Sequence, residues 1–320
     1  MRRPMLLAIL VCLTYAGAAN ATLSIAACTS DGACGVAVAT HNLAVGASVS
    51  HARAGVGAVA TQYETNPHYG SDGLALMASG ASPHDALDRL LARDGDYDGT
   101  TTADRQVGIV AANGDAAVYT GASAEASVWG GARHGRGYAI QGNGLASERV
   151  LIDMERAFLA CKDAFARCLM ASLRAGERAG GQTIGLLSAA LLVRTPAGDW
   201  QDIDLRVDAA AAPVAELGAL LDRRDAHQAI LRAERAASRG DAAASQQALT
   251  EALHLAGHWD RIWRRAARLS MRTGQTDAAL TQLGVFASIN PVWARLELAD
   301  PLYAPLQGHP LFEAWASPAP

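Results

Sequence analysis

The sequence predicts an α+β domain with antiparallel sheets, followed by a small all-α domain. In the first two thirds of the chain, short β-like runs follow one another as hairpins, with helical patterns inserted in pairs. That order is typical of antiparallel sheets and not of a doubly wound parallel sheet. From about Ala226 the strand pattern stops and helical patterns continue alone. The 320 residues, 50% of them apolar and 18% charged, provide enough material for two domains with buried cores.

Residues 1–21 have the pattern of a secretory signal peptide. Two arginines precede an apolar stretch at residues 5–13, and Ala19-Asn20-Ala21 matches an A-x-A cleavage site. The stretch is short for a membrane-spanning helix, and a short N-terminal anchor is the alternative. We therefore expect a bacterial periplasmic or secreted protein that begins at Thr22 and is not held at the membrane after cleavage.

The elements of the α+β domain, placed at residues 22–223, follow from local signals. Asn113-Gly114 predicts a tight hairpin turn, and Pro196-Ala197-Gly198 predicts another. Ser82 is a helix N-cap with proline at the first helical position. The predicted strands are 22–28, 34–40, 44–50, 55–62, 105–111, 116–120, 137–142, 186–194 and 200–207. The predicted helices are 71–79, 82–93, 147–160, 163–179 and 213–221.

Four cysteines follow residue 21, and an even number in an oxidising compartment favours two disulfides. Cys28 and Cys34 flank a turn between two strand-like runs, where they would face each other across a hairpin. Cys161 and Cys168 are too far apart to bond on one unbroken helix, so their bond requires a helix break near Lys162. Neither pair has the C-x-x-C spacing of a zinc or redox site, and both are predicted to be structural.

Residues 224–320 are predicted to form tetratricopeptide-like helical repeats and a tail. Gly240 and Gly274 stand at helix turns 34 residues apart, and Trp263, Ala267 and Ala279 follow the spacing of that repeat. Two helical hairpins are short for a solenoid, so we expect them to pack on the first domain or on a partner chain. An ordinary helical bundle is the alternative. A protein partner bound through the repeats and a homo-oligomer both stay open.

Charge and missing motifs exclude several functions. A net charge of -4 argues against binding to nucleic acid or to an anionic membrane. The sequence lacks a phosphate-binding loop, a full dinucleotide fingerprint, an H-E-x-x-H zinc motif and a G-x-S-x-G elbow. Its nine histidines show no metal-ligand spacing. We therefore predict neither a metal nor a cofactor.

Cleavage after Ala21 would make Thr22 the first residue of the mature protein. A threonine hydroxyl is a weak nucleophile unless a base lies beside it, and a free α-amine with a pKa of about 7.7–8.0 is such a base. Thr22 is therefore the candidate nucleophile. The alternative is that cleavage has to leave some residue at this position and that threonine is common.

A series of motifs in order resembles one bacterial family. The motifs are TLSIAA at 22–27, GVAVATH at 35–41, AVGA at 44–47, ARAGVGAVATQ at 52–62, NPHYG at 66–70, RQVGIV at 105–110, TG at 120–121, GYAIQGN at 137–143 and PVAEL at 213–217. They resemble the domain of unknown function 1028 family, placed in the N-terminal nucleophile (Ntn) hydrolase superfamily. The resemblance covers about residues 22–221.

The resemblance implies an αββα sandwich, in which the N-terminal residue lies at the end of a strand in a cleft and hydrolyses amide-type bonds. It implies no particular substrate. The sequence departs from the family pattern at Leu187, where the family often has glutamine, and at residues 209–212, which are alanines where it often has Asp-His-Pro. If those polar groups shape the family's pocket, this member has a different substrate or none.

Further catalytic candidates come from their positions at strand ends. His41 and His51 would each approach Thr22 if their strands neighbour the first one, and would tune its amine or contact the substrate. Ordinary strand-end histidines are the alternative. Asn143 is placed to aim its amide at an oxyanion, or else only forms a turn.

Three residues are candidates for substrate binding. Arg53 and Arg105 have the fork geometry that binds a carboxylate through two hydrogen bonds, or else they cap a sheet edge. Gln141 lies in the same motif as Asn143.

The leading prediction is a periplasmic Ntn-type amidohydrolase acting on a small amide or peptide. The alternative is a non-catalytic binding or scaffolding protein on the same fold, with the helical repeats recruiting a partner. A self-processed structural subunit is a third interpretation. Intact mass and N-terminal sequencing of the secreted protein would distinguish them at the first step.

Overall fold

The computed structural model describes residues 21–316. The predicted signal peptide, except for Ala21, lies outside the described residues. The chain forms two compact units, one up to Leu217 and one from Gly218. The strands of the first unit are β1 Thr22–Cys28, β2 Cys34–Thr40, β3 Ser50–Arg53, β4 Gly57–Tyr63, β5 Arg105–Ala111, β6 Ala116–Thr120, β7 Gly131–Gly135, β8 Tyr138–Asn143, β9 Ser188–Arg194 and β10 Ile203–Val207.

The strands form two antiparallel sheets, as the hairpin pattern predicted. Six strands are ordered β10-β9-β2-β1-β8-β7, and four are ordered β3-β4-β5-β6. β1 is therefore a central strand, paired with β2 on one side and β8 on the other. Every residue of β1, β2 and β5 is buried, because these strands are covered on both faces.

Helices alternate with groups of strands in the first unit and continue alone through the described part of the second. Those of the first unit are α1 His68–Ala78, α2 Pro83–Ala92, α3 Ala122–Glu125, α4 Arg149–Ala160 and α5 Phe165–Arg178. α6 Pro213–Ser238 begins in the first unit and continues into the second, where α7 Ala242–Leu255, α8 Asp260–Arg272, α9 Thr276–Ile289, α10 Pro291–Leu298 and α11 Pro310–Ala316 follow.

The two sheets pack face to face through small side chains. An apolar cluster between them includes Ala26 from β1, Val36 from β2, Ala60 from β4 and Val110 from β5. The outer face of the four-stranded sheet packs on α1 and α2, and the outer face of the six-stranded sheet packs on α4 and α5. The first unit is thus a mixed α/β structure with antiparallel sheets and helices on both outer faces.

Both predicted cysteine pairs lie at disulfide distance. The Cα atoms of Cys28 and Cys34 are 4.1 Å apart across the β1–β2 hairpin, and those of Cys161 and Cys168 are 5.5 Å apart. The second pair needs the helix break that the sequence required: α4 ends at Ala160 and α5 begins only at Phe165.

Two sequence predictions differ from the structure within the first unit. Residues 44–49 form no strand, and β3 begins only at Ser50: Ala44 has a left-handed backbone conformation, and a short 3₁₀ turn, Val45–Ala47, follows it. Val45 and Val49 are both buried, and a spacing of four is the period of a helical turn. No strand was predicted between residues 120 and 137, where the structure has the edge strand β7.

The second unit is helical throughout its described part. Gly240 and Gly274 have left-handed φ angles of 78° and 73° directly after α6 and α8, which is the usual way a glycine ends a helix. The predicted helix at residues 213–221 does not end there, because no glycine or proline interrupts the chain between Gly218 and Gly240. The predicted domain boundary at residues 223/224 therefore falls inside α6. Among the described helices, none has the length and apolar character needed to cross a membrane.

Candidate functional site

Thr22 is the first residue of β1, and its side chain faces the space between the two sheets. It is 4% exposed. Residues alternate between the two faces of a strand, so Thr22, Ser24 and Ala26 point inward and Leu23 points to the helices on the outside. The Ser24 hydroxyl donates to Gln62 of the opposite sheet at 2.6 Å, and Leu23 approaches Gly176 of α5. The central strand thus brings Thr22 into the interior at one end of the sheet pair.

The polar residues at this end all belong to inward faces. Thr22 lies opposite Thr40 of β2 and Asn143 of β8. Gln62 of β4 and Gln106 of β5 lie opposite each other in the second sheet. All five residues are buried. Because buried polar groups need hydrogen-bond partners, the five residues are joined in one hydrogen-bond network, to which Thr22 contributes its backbone nitrogen as well as its hydroxyl. The alanine- and valine-rich cluster fills the rest of the space between the sheets.

The amide of Asn143 is held in one orientation by Gln106. The Gln106 Nε2 donates to the carbonyl oxygen of Gly142 at 2.9 Å, so its Oε1 accepts from Asn143 Nδ2 and from Gln62 Nε2, each at 2.8 Å. Asn143 therefore presents its Oδ1 to the backbone nitrogen of Thr22, which donates to it at 3.1 Å. In the uncut chain the Asn143 amide thus donates to Gln106 and accepts from the nitrogen of Thr22, and its function as an oxyanion donor stays a prediction.

The hydroxyl of Thr22 lies 3.2 Å from the hydroxyl of Thr40. The Thr40 hydroxyl donates its single proton to the carbonyl oxygen of Ala21 at 2.5 Å. It therefore accepts, and does not donate, in its contact with Thr22. In the intact chain the Thr22 hydroxyl consequently points its proton at Thr40.

The residue before Thr22 occupies a closely fitted slot. Ala21 is 1% exposed. A Cβ built on Gly144 would lie 2.4 Å from the Cβ of Ala21, so the glycine leaves room for the Ala21 methyl group. Removal of Ala21 would open this slot beside the nitrogen of Thr22 and the hydroxyl of Thr40.

A family model described as a family of unknown function, DUF1028, matches residues 22–217. The chain belongs to the DUF1028 family. The crystal structure of protein SPO2555 from Silicibacter pomeroyi, described as DUF1028, is similar to this chain with a TM-score of 0.57. The two sequences are 32% identical, and the match covers 63% of this chain and 85% of that one. No match was found among curated proteins.

Within the part of the chain that matches the family, residues 22–217 and here called the DUF1028 unit, Gln141 lies close to Thr22 without contacting it. It is opposite Ser24, one step deeper between the sheets. Its Nε2 donates to the carbonyl oxygen of Ala60 at 2.9 Å, and its Oε1 has no partner within the described structure. A free buried acceptor of this kind is consistent with a bound water molecule.

Neither predicted histidine contacts Thr22 in the DUF1028 unit. His41 follows Thr40 directly but is exposed. His51 lies opposite Val59, whose side chain packs on the outer side of its sheet, so it lies on the wrong face to reach Thr22. Its ring packs closely on Gly70 of α1, and its Nε2 lies 3.3 Å from the carbonyl oxygen of Ser48. Burial lowers the pKa of His51, and the hydrogen bond to Ser48 opposes that change.

The two predicted substrate-binding arginines of the DUF1028 unit also lie away from Thr22. Arg53 is exposed at the end of β3. Arg105 is adjacent to Gln106 in sequence and therefore points to the opposite, outer face, where it is fully buried against Asp94 at 2.9 Å. Its guanidinium donates to the Asp94 carboxylate, to the backbone carbonyl oxygens of Glu64 and Tyr97, and to the hydroxyl and carbonyl oxygens of Thr100.

The residues that sequence reasoning missed are Thr40, Gln62 and Gln106. Each stands in a motif on which the family resemblance was based, and a glutamine within an otherwise apolar strand was the available signal. Within residues 21–316, the His, Cys, Asp and Glu side chains form no group of three that could hold a metal ion.

Proposed function

We propose that the DUF1028 unit is an amidohydrolase of the N-terminal nucleophile type, with Thr22 as its nucleophile once the chain is cut after Ala21. The observation that carries the proposal is the arrangement around Thr22: its nitrogen meets the Asn143 oxygen and its hydroxyl meets Thr40, inside a buried polar network. The substrate is a small amide or peptide. The two disulfides are compatible with a periplasmic or secreted protein.

The arrangement of layers supports assignment to the Ntn-hydrolase superfamily. Two antiparallel sheets pack face to face with helices on both outer sides, as an αββα sandwich requires. The candidate nucleophile stands at the start of a central strand. We also propose that the helices after Gly218 form tetratricopeptide-like hairpins around the turns at Gly240 and Gly274.

The reaction uses the two groups that Thr22 carries. Its Oγ attacks the substrate carbonyl carbon while the neutral α-amine takes the hydroxyl proton. The ammonium then gives a proton to the leaving nitrogen, the C–N bond breaks, and an ester to Thr22 remains. Water hydrolyses that ester. Asn143 accepts an N–H from the amine and so fixes where its lone pair points, which makes Asn143 a positioning residue.

Thr40 is the candidate donor to the developing oxyanion. In the uncut chain its hydroxyl donates to the carbonyl oxygen of Ala21 at 2.5 Å, and that carbonyl belongs to the amide bond on the Thr22 nitrogen. A substrate carbonyl that enters the slot vacated by Ala21 meets the same hydroxyl. A buried donor already aimed at this point stabilises negative charge that forms there.

The first test compares chains that begin at residue 22, prepared by cutting a fusion and verified by intact mass. We expect Thr22→Ala to lose hydrolysis of a panel of acyl anilides and small peptides, and Thr22→Ser to keep part of it. One alanine added before Thr22 removes the basic amine and refills the slot, so activity falls about 10²-fold or more. Thr281→Ala, an exposed threonine on α9, is the matched control.

A covalent probe makes the test independent of the substrate. A β-lactone is opened by attack of a hydroxyl, so the chain beginning at Thr22 should gain one acyl group, mapped to Thr22 by peptide mass spectrometry. Thr22→Ala should gain none. Undiminished turnover or labelling in Thr22→Ala removes Thr22 from the mechanism, and the binding or scaffolding alternative then takes first place.

Asn143→Ala tests the positioning role separately. We expect kcat to fall more than KM rises, and the acidic limb of the pH–rate profile to move, because the amine loses its hydrogen-bond partner. A purely structural role for Asn143 would lower the amount of folded protein and leave the pH profile of the remainder unchanged.

A further inference from the structure

A cavity of about 410 Å³ lies between α1 and α2, on the outer side of the four-stranded sheet. The inward-facing network around Thr22 lies on the other side of that sheet. Ala75, Leu76 and Leu90 form the apolar part of the cavity wall, and Arg89 and Arg93 provide its cationic part. Volumes of 300–1,000 Å³ with mainly apolar walls and a few polar groups are typical of small-molecule sites.

The polar groups at the base of this cavity already have partners. The Asp94 carboxylate accepts from Arg105, from the Tyr69 hydroxyl at 2.7 Å and from Asn66 at 3.2 Å. Burial by itself raises the pKa of Asp94, but the hydrogen bonds from Arg105, Tyr69 and Asn66 outweigh it and lower the pKa. The base is thus an internally neutralised ion pair, and its donors are not available to a ligand.

The two cavity arginines, in contrast to the base, have guanidinium groups that no carboxylate within residues 21–316 neutralises. Arg89 and Arg93 are four residues apart at the C-terminal end of α2, so they project from the same side of the helix. In the part of the chain that the structure describes, neither guanidinium has a hydrogen-bond or ion-pair partner. Asp72 is the one carboxylate on the rim besides the neutralised Asp94. The unused donors of the cavity are therefore the two guanidiniums and the ring of His68, which contacts Tyr97 edge-on.

We infer that this cavity is a second binding site, which takes a small organic anion with an apolar body. The anionic group, a carboxylate or a phosphate ester, binds the guanidiniums of Arg89 and Arg93, which match both groups through paired N–H donors. The apolar body packs between Leu76 and Leu90. This inference is independent of the chemistry proposed at Thr22, because the two sites occupy opposite faces of one sheet.

Isothermal titration calorimetry on the whole chain tests the site with probes of one shape and different charge. Octanoate and octyl phosphate carry the anion, octan-1-ol is neutral, and octylamine is cationic. We expect both anions, or one of them, to bind at least 10-fold more tightly than the other two probes. Tighter binding of octanoate identifies a carboxylate site, and tighter binding of octyl phosphate identifies a phosphate-ester site.

Variants assign the binding to the cavity. Arg89→Gln and Arg93→Gln should each weaken anion binding about 10-fold or more, since each removes a charge-assisted contact. Arg178→Gln, which removes an exposed arginine from the last turn of α5, is the matched control and should bind as the original does. Ala75→Trp fills the cavity without changing its charge and should abolish binding.

The inference is overturned if neither anion binds, if octylamine or octan-1-ol binds as tightly, or if Arg178→Gln weakens binding as much as Arg89→Gln does. Circular dichroism of every variant checks that the fold is retained. Thr22→Ala should bind the probes unchanged, so the outcome at this cavity is distinguishable from the outcome at Thr22.

Discussion

Replacing Arg105 with methionine should be among the most destabilising single changes in the first unit. The side chains of Arg105 and Asp94 are 0% and 3% exposed, and the guanidinium contacts the carboxylate through Nε at 2.9 Å and through a terminal nitrogen at 3.1 Å. It also donates to the backbone carbonyl oxygens of Glu64 and Tyr97 and to the hydroxyl and carbonyl oxygens of Thr100. Methionine fills similar space but donates nothing, so it leaves the Asp94 charge buried and without its cation.

The expected size follows from that unpaired charge. Removing one partner of a buried ion pair costs about 3–5 kcal/mol. For a unit of this size, 1 kcal/mol corresponds to about 2–4 °C in Tm, so Arg105→Met should lower Tm by roughly 6–20 °C. Arg149→Met breaks an exposed pair with Asp153, whose attraction water screens, and should leave Tm nearly unchanged. Adding Asp94→Asn to Arg105→Met removes the stranded charge and should restore part of the loss.

The effect should also depend on pH. The pKa of Asp94 is lowered in the folded protein. Its contribution to stability is therefore present above its unfolded pKa of about 3.9 and is lost as pH falls through the folded pKa. Arg105→Met removes this contribution, so the difference in stability between original and variant should be largest near pH 7 and shrink below pH 4.

Calorimetric unfolding of the whole chain measures the change, and hydrogen exchange of β5 peptides assigns the affected transition to the first unit. A loss below about 1 kcal/mol, or a loss that is the same at pH 7 and pH 3.5, would refute the assignment of Arg105 and Asp94 as a buried pair that stabilises the fold.

Three further predictions concern the same unit. Gly70→Ala should destabilise by about 1–3 kcal/mol, because the new Cβ would lie 2.1 Å from the His51 ring; thermal unfolding measures it, and an unchanged Tm contradicts the close contact. Burial and Glu155 raise the pKa of Tyr138 to about 12, so stability is present below pH 10 and lost as pH rises through about 12; Tyr138→Phe should lessen that alkaline loss in urea titrations. A denatured chain beginning at residue 22 should show no free thiol before reduction and four after it, and any thiol found before reduction counts against a disulfide.

Local patterns were sufficient to predict much of the fold. The hairpin turns and the helix break between Cys161 and Cys168 depend on residues close in sequence. Residues 44–50 were not predicted correctly, because their conformation depends on a distant partner: the backbone nitrogen of Val45 donates to the Ser188 hydroxyl, 143 residues away. An alternating pattern cannot report such a contact.

The candidate site was predictable only in part. Thr22 and Asn143 could be named from their positions in the chain, and the register of β1 and β8 brings them together. Gln62 and Gln106 could not be placed, because their strands are buried on both faces and the sequence does not show which face is inward. The sequence likewise did not show that Arg105, which is adjacent to Gln106 in β5, points to the opposite, outer face of the sheet.

If the chain is cut before Thr22, as we propose, the burial of Ala21 limits when a separate protease can make that cut. A protease needs several residues of extended, accessible backbone around the bond it cuts. The bond between Ala21 and Thr22 is enclosed, with side chains only 1% and 4% exposed, once β1 has paired with its neighbours. A separate protease therefore has to cut before Thr22 while the chain is still unfolded, and a chain that folds uncut keeps Ala21 in place unless it cuts itself. With a separate protease, cleavage would compete with folding, and only chains cut before they fold would carry a free amine at Thr22.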